Sequence, residues 1–503
     1  MRSRRPTLAW PLLVAPLFLL GGDRPNVRGR VVGPDGAISG AHVRWQGELA
    51  HVVTDDAGRF ALPPAAKKRL TAWKPGFRIA VVDRPDATPL RLFALPAVDN
   101  PDYHWLPPDP DPAKPVACGN CHKTIHAEWA GSPHGRATKN PRLLSLMTGK
   151  DARGKEHAKW NLSREHPLGL GVCSRCHAPT YRSPDLSYDL EKAEGVAASG
   201  VHCDLCHKVA NVPTEKLGLR FGIDALDLLR PEDGDQLFYG PLEDAVRPGE
   251  SFGHFPIYKE SRYCAACHEG TVFGVKVYTT YSEWKESPAA KRGQQCQSCH
   301  MAPTGTMTNI APGKGGIERD RKTLASHAMI GASEEMLKKS VQLITRVEQK
   351  GKSVQVTMEL TARNVGHRVP SGCIDRHLLL LVEAWDAAGR EVFGAGPRLP
   401  AALAAPYEKK AAWLFGRRLI DDAGASPLPF WLPHEREEDT RLAPETTERR
   451  VTAFPGAAVR VRIQLLYRPF WPAVLESRGW MERQVAISIR EYVRGGGVWL
   501  ERR

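Results

Sequence analysis

The stretch Cys118-Gly-Asn-Cys121-His122 decides this chain, because its Cys-x-x-Cys-His pattern occurs four more times. The other copies are Cys173-Ser-Arg-Cys176-His177, Cys203-Asp-Leu-Cys206-His207, Cys264-Ala-Ala-Cys267-His268 and Cys296-Gln-Ser-Cys299-His300. Residues three and four apart lie on one face of a helical turn. Two thiols followed at once by an imidazole can therefore offer two anchors and one iron ligand to a single flat group. We interpret each copy as a site where haem is attached covalently through two thioethers.

The alternatives for a Cys-x-x-Cys pair are a disulfide or half of a zinc site. Zinc takes four ligands in paired clusters, which would leave the histidine after every second cysteine unexplained. The motifs use ten of the eleven cysteines. We therefore predict five c-type haems as cofactors, whose proximal iron ligands are His122, His177, His207, His268 and His300. The remaining cysteine, Cys373, is expected to be a buried small apolar side chain.

These five motifs resemble those of the multihaem c-type cytochromes. Two further segments resemble the cytochrome c554 and pentahaem nitrite reductase group, namely Trp129-Ala-Gly-Ser-Pro-His134 and Ala325-Ser-His327-Ala, the latter following Cys299-His-Met301. In that group the corresponding segments supply the sixth iron ligand. The resemblance implies that His134 and His327 are distal ligands.

Other histidines are candidates for the sixth position, since thirteen remain beyond the proximal five (18 − 5). Asn364-Val-Gly-His367-Arg-Val-Pro-Ser-Gly372 resembles a stretch of β-domains attached to multihaem cytochromes, so we predict His367 as a ligand held on a rigid turn. His202 directly precedes Cys203 and is predicted to reach a neighbouring haem. His166, seven residues before Cys173, is a further candidate. His126 is expected on the surface.

The amino terminus is typical of an export signal. Arg2, Arg4 and Arg5 precede an apolar run from Leu8 to Leu20, which is too short to span a bilayer. We predict a signal peptide over residues 1–22 and a periplasmic, extracellular or cell-surface location; an uncleaved membrane anchor is the alternative. No later segment reaches 18 apolar residues, so no stable membrane span is expected.

The rest of the chain predicts a multidomain protein, with two all-β sandwich domains flanking a mostly α-helical or irregular multihaem cytochrome c domain. Residues 23–98 alternate apolar and polar positions, and Gly33-Pro-Asp-Gly36 and Thr54-Asp-Asp-Ala-Gly58 with the residues around them resemble the carboxypeptidase regulatory-like domain, a seven-stranded sandwich. Residues 99–116 form a Pro-rich linker. Residues 117–336 hold the haems. Residues 337–503 alternate again and predict a second sandwich.

The formal charge of +14 and the isoelectric point near 9.3 do not predict nucleic-acid binding, because basic and acidic residues are interleaved throughout. Two functional hypotheses follow. In the first, five mainly bis-histidine haems carry electrons between redox partner proteins. In the second, one haem lacks a sixth ligand and the protein is an oxidoreductase for a small nitrogen or sulfur compound, with Tyr263, Tyr278 or Tyr281 near the open iron. No catalytic residue is assigned, and whether the protein is an enzyme stays open.

Overall fold

The computed structural model describes residues 26–65, 68–83, 89–480 and 484–502. The chain divides into two compact units, Met1–Ala94 and Leu95–Arg503. The predicted signal peptide, residues 1–22, lies outside the described residues. Within the described ranges no helix is both long and apolar enough to cross a bilayer.

The described part of the first unit consists of short strands. They are β1 (Val27–Gly33), β2 (Gly36–Ala37), β3 (His42–Trp45), β4 (Val52–Val53), β5 (Arg59–Leu62), β6 (Leu70–Trp73), β7 (Ala80–Val82) and β8 (Leu90–Arg91). One sheet has the order β2-β1-β5 with β8 beside β1, and the other has the order β4-β3-β6-β7. Val31 and Phe60 from the first sheet and Val43 and Leu70 from the second share one apolar core. The two sheets therefore enclose a single core.

A tight turn before β5 depends on Gly58. Its φ is +72°, and a Cβ placed there would lie 2.4 Å from the carbonyl oxygen of Val31. The same close approach allows the Val31 amide to donate to the Gly58 carbonyl at 2.8 Å. Only glycine combines this positive φ with this contact.

Between residues 117 and 336 the second unit contains short helices. They are α1 (Lys123–Gly131), α2 (Pro141–Thr148), α3 (Leu162–Glu165), α4 (Leu170–His177), α5 (Cys203–Cys206), α6 (Arg262–His268), α7 (Thr280–Glu286), α8 (Pro288–Lys291) and α9 (Cys296–His300). Single turns of 3-10 helix are Cys118–Asn120, Pro167–Gly169, Leu190–Lys192, Gly195–Ser199, Thr214–Lys216, Gly222–Ala225 and Pro256–Lys259. Helices α7 and α8 are separated at Ser287, because Pro288 cannot continue the preceding helix.

The strands between these helices are also short. They are β9 (Val209–Asn211), β10 (Asp227–Leu228), β11 (Leu237–Gly240), β12 (Ser251–His254), β13 (Glu269–Val272) and β14 (Val275–Thr279). They form three two-stranded sheets, β10-β9, β11-β12 and β13-β14. Isolated strand pairs are marginally stable in water, so this region depends on packing against other groups.

The remainder of the second unit is mostly sheet. It comprises α10 (Glu334–Ser340), β15 (Val341–Lys350), β16 (Ser353–Ala362), β17 (His377–Trp385), β18 (Glu391–Val392), α11 (Ala401–Ala404), β19 (Ala411–Ile420), β20 (Arg436–Asp439), β21 (Thr447–Pro455), β22 (Arg460–Arg468), α12 (Pro472–Arg478), β23 (Val485–Gly495) and β24 (Val498–Arg502). A three-stranded sheet has the order β15-β16-β21. A larger sheet has the order β20-β19-β17-β22-β23-β24, with β18 beside β17.

These two sheets share one core, which explains the sequence patterns. Alternate residues of β16, Val354 to Leu360, are fully buried, and they meet Leu378 and Leu380 of β17 and Ile463 of β22. Strict alternation in β16 reflects a strand with one buried face. The continuous apolar run in β17 reflects a central strand that is buried on both faces.

The Pro-rich segment is bonded along the motif-bearing part of the same unit. Asp99 receives two hydrogen bonds from the Arg230 guanidinium, and the Leu106 amide donates to Asp204 at 2.9 Å. The Cys118 amide donates to the carbonyl of Pro107 at 3.1 Å. This segment therefore contacts the first and third motifs directly.

The sheets after residue 337 pack against the motif region through Glu283 of α7. Its carboxylate pairs with Arg441 at 2.7 Å and accepts hydrogen bonds from the Arg368 amide at 3.1 Å and the Ser371 hydroxyl at 2.9 Å. The Arg441 and Glu283 side chains are each 7% exposed. This buried charge cluster fixes the 364–372 turn against α7, which lies between the fourth and fifth motifs in the chain.

Candidate haem-binding site

Each Cys-x-x-Cys-His motif lies on a helical turn. The first begins with the 3-10 helix Cys118–Asn120, and the others lie on α4, α5, α6 and α9, with His207 directly after α5. Helical geometry places both thiols and the following histidine on one side of each turn, as the spacing predicts. The three groups of each motif can therefore face one porphyrin.

Thiols of different motifs are near neighbours in this fold. In three pairs one thiol raises the pKa of the other: Cys118 that of Cys203, Cys267 that of Cys176, and Cys296 that of Cys264. Cys206 is also a neighbour of Cys267. The first motif thus lies beside the third, while the fourth lies beside the second, the third and the fifth.

The thiols are mostly far from bulk water. Burial raises the pKa of Cys173 to about 12 and that of Cys206 to about 11. At the fifth motif the hydrogen bond with Cys264 lowers the pKa of Cys296 to about 7, and Cys299 is exposed. The fifth motif is therefore the one whose attachment side reaches the surface.

Three of the five motif histidines are held in one tautomer by backbone carbonyls. The Nδ1 atom of His122 lies 2.9 Å from the Ile310 oxygen, and those of His207 and His300 lie 2.6 Å from the oxygens of Tyr239 and Ile330. A carbonyl only accepts, so Nδ1 carries the proton and Nε2 keeps its lone pair. This is the orientation that metal-binding imidazoles usually require.

Burial also keeps three of the motif histidines neutral. It lowers the pKa of His177 and His207 to about 4 and that of His268 to about 3. Neutral imidazole is the form that coordinates iron.

Two predicted distal ligands lie opposite motif histidines. The ring centroids of His134 and His268 are 6.2 Å apart, with ring planes at 81°, and those of His300 and His367 are 6.2 Å apart at 14°. A metal–imidazole bond is about 2 Å long, so two imidazoles on opposite sides of one ion have centroids about 6 Å apart. Both pairs have the separation that one six-coordinate iron needs.

His327 lies among the histidines of the first and third motifs. Its pKa is lowered by burial and by the nearby His122, and His327 in turn lowers the pKa of His207. The His327 amide donates to Glu128 at 2.7 Å, and Nδ1 faces the Ala325 carbonyl at 3.2 Å. Its Nε2 is thus left available in the tautomer of a ligand.

His202 and His166 have other contacts. His202 is fully buried, its Nδ1 accepts from the Leu205 amide at 3.3 Å, and its Nε2 lies 3.1 Å from the Thr180 hydroxyl. His202 therefore caps α5, and binding an iron would require the ring to leave both partners. The ring of His166 packs on that of Phe273, with the ring centroids 4.1 Å apart.

Several residues considered in the sequence have structural partners. His126 lies 3.0 Å from an Asp109 oxygen. The hydroxyl of Tyr263 donates to the Cys206 carbonyl at 2.9 Å, and the ring of Tyr281 stacks on Trp284 at 5.5 Å. These residues therefore pack or form hydrogen bonds beside the motifs.

Three residues that the sequence does not single out, Asp375, Arg376 and His377, lie just after Cys373. Cys373 is partly buried, and its thiol lies 3.6 Å from an Asp375 oxygen. His377 is fully buried and stacks on Trp471 at 4.3 Å. Their position directly after the His367 turn is the one sequence signal that points to them.

Comparison with known proteins agrees with this geometry. Residues 117–208, which hold the first three motifs, match a family model described as cytochrome c554 and c-prime. Among solved structures the chain is similar to the penta-heme cytochrome c552 from Thermochromatium tepidum, with 22% identity and a TM-score of 0.54 over 75% of this chain and 97% of that chain. Together these matches support a multihaem c-type cytochrome.

The structural match establishes the cytochrome fold over most of the chain. A second structural match, to the Fcho1 mu homology domain of Danio rerio with bound Eps15 peptide, has a TM-score of only 0.14, with 8% identity over 27% of this chain and 41% of that chain. No curated protein matches the chain.

The residues present fit covalently bound haem. Each motif offers two thiols and one imidazole, and Nδ1 of three of these imidazoles faces a backbone carbonyl, which leaves Nε2 for iron. Two motif histidines face a second histidine at the distance of a shared iron. The described residues hold no cluster of three or more His, Cys, Asp or Glu side chains arranged for a bare metal ion. The donor set is that of a c-type haem centre.

Proposed function

We propose that this chain is an exported electron carrier with five covalently bound haems, attached at its five Cys-x-x-Cys-His motifs. The observation that carries the proposal is the proximity of thiols from different motifs, which connects all five motifs into one group. When bound, each haem supplies a one-electron iron couple. We infer that groups attached at neighbouring thiols are close enough to exchange electrons.

We infer a route through the motifs from these contacts. The first, third, fourth and fifth motifs follow one another, and the second joins at the fourth. Cys299 is exposed, so the fifth motif is a natural exit or entry point for a redox partner protein. The second end of the route is at the first motif, where the Pro-rich segment lies against Cys118.

The proposed sixth ligands are His134 on the iron of His268, His367 on the iron of His300, and His327 on the iron of the first or third motif. In each case Nε2 is the coordinating atom. Two histidines per iron leave no position for a substrate and favour electron transfer over catalysis. His202 and His166 stay predictions from the sequence.

The β-rich parts have structural roles in this proposal. We infer that the sheets after residue 337 form a sandwich that supplies His367 to the haem cluster through the turn fixed by Glu283. The first unit is proposed to be a carboxypeptidase regulatory-like domain that serves as an interaction module.

The test is the mass and spectrum of the mature protein, expressed with a haem-attachment system. We expect added mass of about five haems and a shortened amino terminus after export. We also expect a low-spin spectrum in both redox states, with no change when carbon monoxide is added to the reduced protein. An unmodified mass would disprove the proposal. Carbon monoxide binding would instead favour the hypothesis that the protein is an oxidoreductase with an open iron.

A further inference from the structure

The segment Ser371-Gly-Cys-Ile-Asp-Arg376 directly follows the His367 turn and ends where β17 begins. Gly372 has a φ of +86°, and a Cβ placed on it would lie 2.8 Å from an Nη1 atom of Arg376. The same Nη1 donates to the Ser371 carbonyl at 3.0 Å. The loop is therefore folded closely around the Arg376 guanidinium, and glycine at 372 makes room for it.

Arg376 has no ion pair with a carboxylate of the described residues, although Asp375 is its neighbour in the chain. The Asp375 carboxylate accepts a hydrogen bond from Trp471 Nε1 at 3.0 Å and lies 3.6 Å from the Cys373 thiol. Asp375 is 2% exposed. The Asp375 carboxylate therefore interacts with other donors. No carboxylate of the described residues pairs with the Arg376 guanidinium.

Arg376 lies near residues of the second and fourth motifs. Its charge acts on His268, the proximal histidine of the fourth motif, and on Tyr278. Tyr278 in turn neighbours Cys373 and both thiols of the second motif, Cys173 and Cys176. Arg376 therefore lies where the second and fourth motifs meet.

Arg376 is partly buried, and a guanidinium that is partly removed from water is stabilised by an anionic partner, because desolvating an unpaired charge is costly. Its planar fork binds carboxylates through two parallel hydrogen bonds. Each haem attached at these motifs brings two carboxylates of its own. No carboxylate of the described protein residues takes that place at Arg376.

We propose that Arg376 is the counter-charge for a haem carboxylate at the junction of the second and fourth motifs, and that it raises the reduction potential there. This inference rests on the proposed five-haem function. A fixed positive charge favours the reduced iron, which carries one positive charge fewer than the oxidised iron. A residue of the sheet-rich part of the chain would thereby set the reduction potential where the second motif joins the proposed electron route at the fourth.

The test compares Arg376→Gln and Arg376→Lys with the wild type by redox titration of the holoprotein, followed by optical and electron paramagnetic resonance spectra. Glutamine should move at least one of the five midpoint potentials to a more negative value. Lysine keeps the charge but lacks the fork, so a smaller shift in the same direction is expected.

Arg478→Gln is the matched control. Arg478 is 1% exposed and donates to the carbonyls of Lys159 and Trp160, at 3.0 and 2.8 Å. Its removal should leave all five potentials unchanged. A shift as large as that of Arg376→Gln would show that loss of any buried arginine suffices and would overturn the proposal.

Two further outcomes would overturn it. One is five unchanged potentials in Arg376→Gln or, if that variant does not accumulate, in Arg376→Lys. The other is a spectral response of the wild type to added nitrite or sulfite that Arg376→Gln loses, since Arg376 would then hold a free oxyanion. Haem mass measured on each variant separates these results from failure of the five-haem proposal itself.

Discussion

The imidazole rings of His300 and His367 face each other at a centroid distance of 6.2 Å, with their planes only 14° apart. His300 is fixed by the Ile330 carbonyl, and the Nδ1 atom of His367 faces the Arg368 carbonyl at 2.9 Å. Both rings therefore direct Nε2 away from their backbone partners. One ring comes from the fifth motif and the other from the sheet-rich part of the chain, so the haem at this motif would be bound by both.

Replacing His367 with alanine should convert about one haem in five from low-spin to high-spin, because one iron loses its sixth ligand. The measurement is the electron paramagnetic resonance spectrum of the oxidised holoprotein. His126→Ala, which removes a histidine paired with Asp109, is the control and should leave the spectrum unchanged. An unaltered low-spin spectrum in His367→Ala would end the ligand assignment.

Replacing His134 with alanine should open the iron of the fourth motif in the same way. The reduced variant is expected to bind carbon monoxide at about one site per chain, whereas the wild type binds none. The comparison variant is His166→Ala, whose ring packs on Phe273. Equal carbon monoxide binding by wild type and His134→Ala would contradict the pairing of His134 with His268.

Cys176→Ser should leave its haem attached through Cys173 alone. One vinyl group then stays conjugated with the porphyrin, so the alkaline pyridine spectrum of the reduced haems should gain a band at longer wavelength with about one fifth of the intensity. Cys373→Ser changes the cysteine outside the motifs and should have no such effect. A normal spectrum for Cys176→Ser would show that the second motif carries no thioether.

Gly58→Ala should destabilise the first unit by about 2 to 3 kcal/mol, because it combines a positive φ with a steric clash. Gly40→Ala separates the effect of the positive φ from that of the clash, since Gly40 has a φ of +71° but no atom within 4 Å of its added Cβ. That variant should lose only about 1 kcal/mol. Hydrogen exchange of the β1 and β5 amides in the intact protein measures both. Equal losses would disprove the clash at the Val31 carbonyl.

Asp375 should make stability depend on pH. Burial raises its pKa from 3.8 to about 7 in the folded state, so between these values the folded protein holds a proton that the unfolded chain releases. The contribution of this group to stability therefore falls as pH rises from about 4 to about 7, and is constant above. Asp375→Asn keeps an acceptor for Trp471 and should equal the wild type in Tm near pH 4 but exceed it near pH 8. A constant difference between the two would contradict the raised pKa.

The β-strands of the last part of the chain could be predicted closely from sequence. The alternating residues from Val354 to Thr361 fall within β16, and the apolar run from Leu378 to Val382 lies in β17. Both patterns follow from the two-residue period of a strand and from whether one or both faces are buried. The candidate haem-attachment positions could also be predicted from sequence, because each motif is complete within five residues.

The tertiary structure decided the partners of the motif histidines and thiols. Spacing says which thiols share a helical turn, but the contact of Cys176 with Cys267 and the approach of His134 to His268 join residues that are distant in sequence. The same holds for Arg376, whose place beside the motifs depends on the turn held by Glu283. Local spacing fixes local geometry, whereas contacts between distant segments depend on how the whole unit packs.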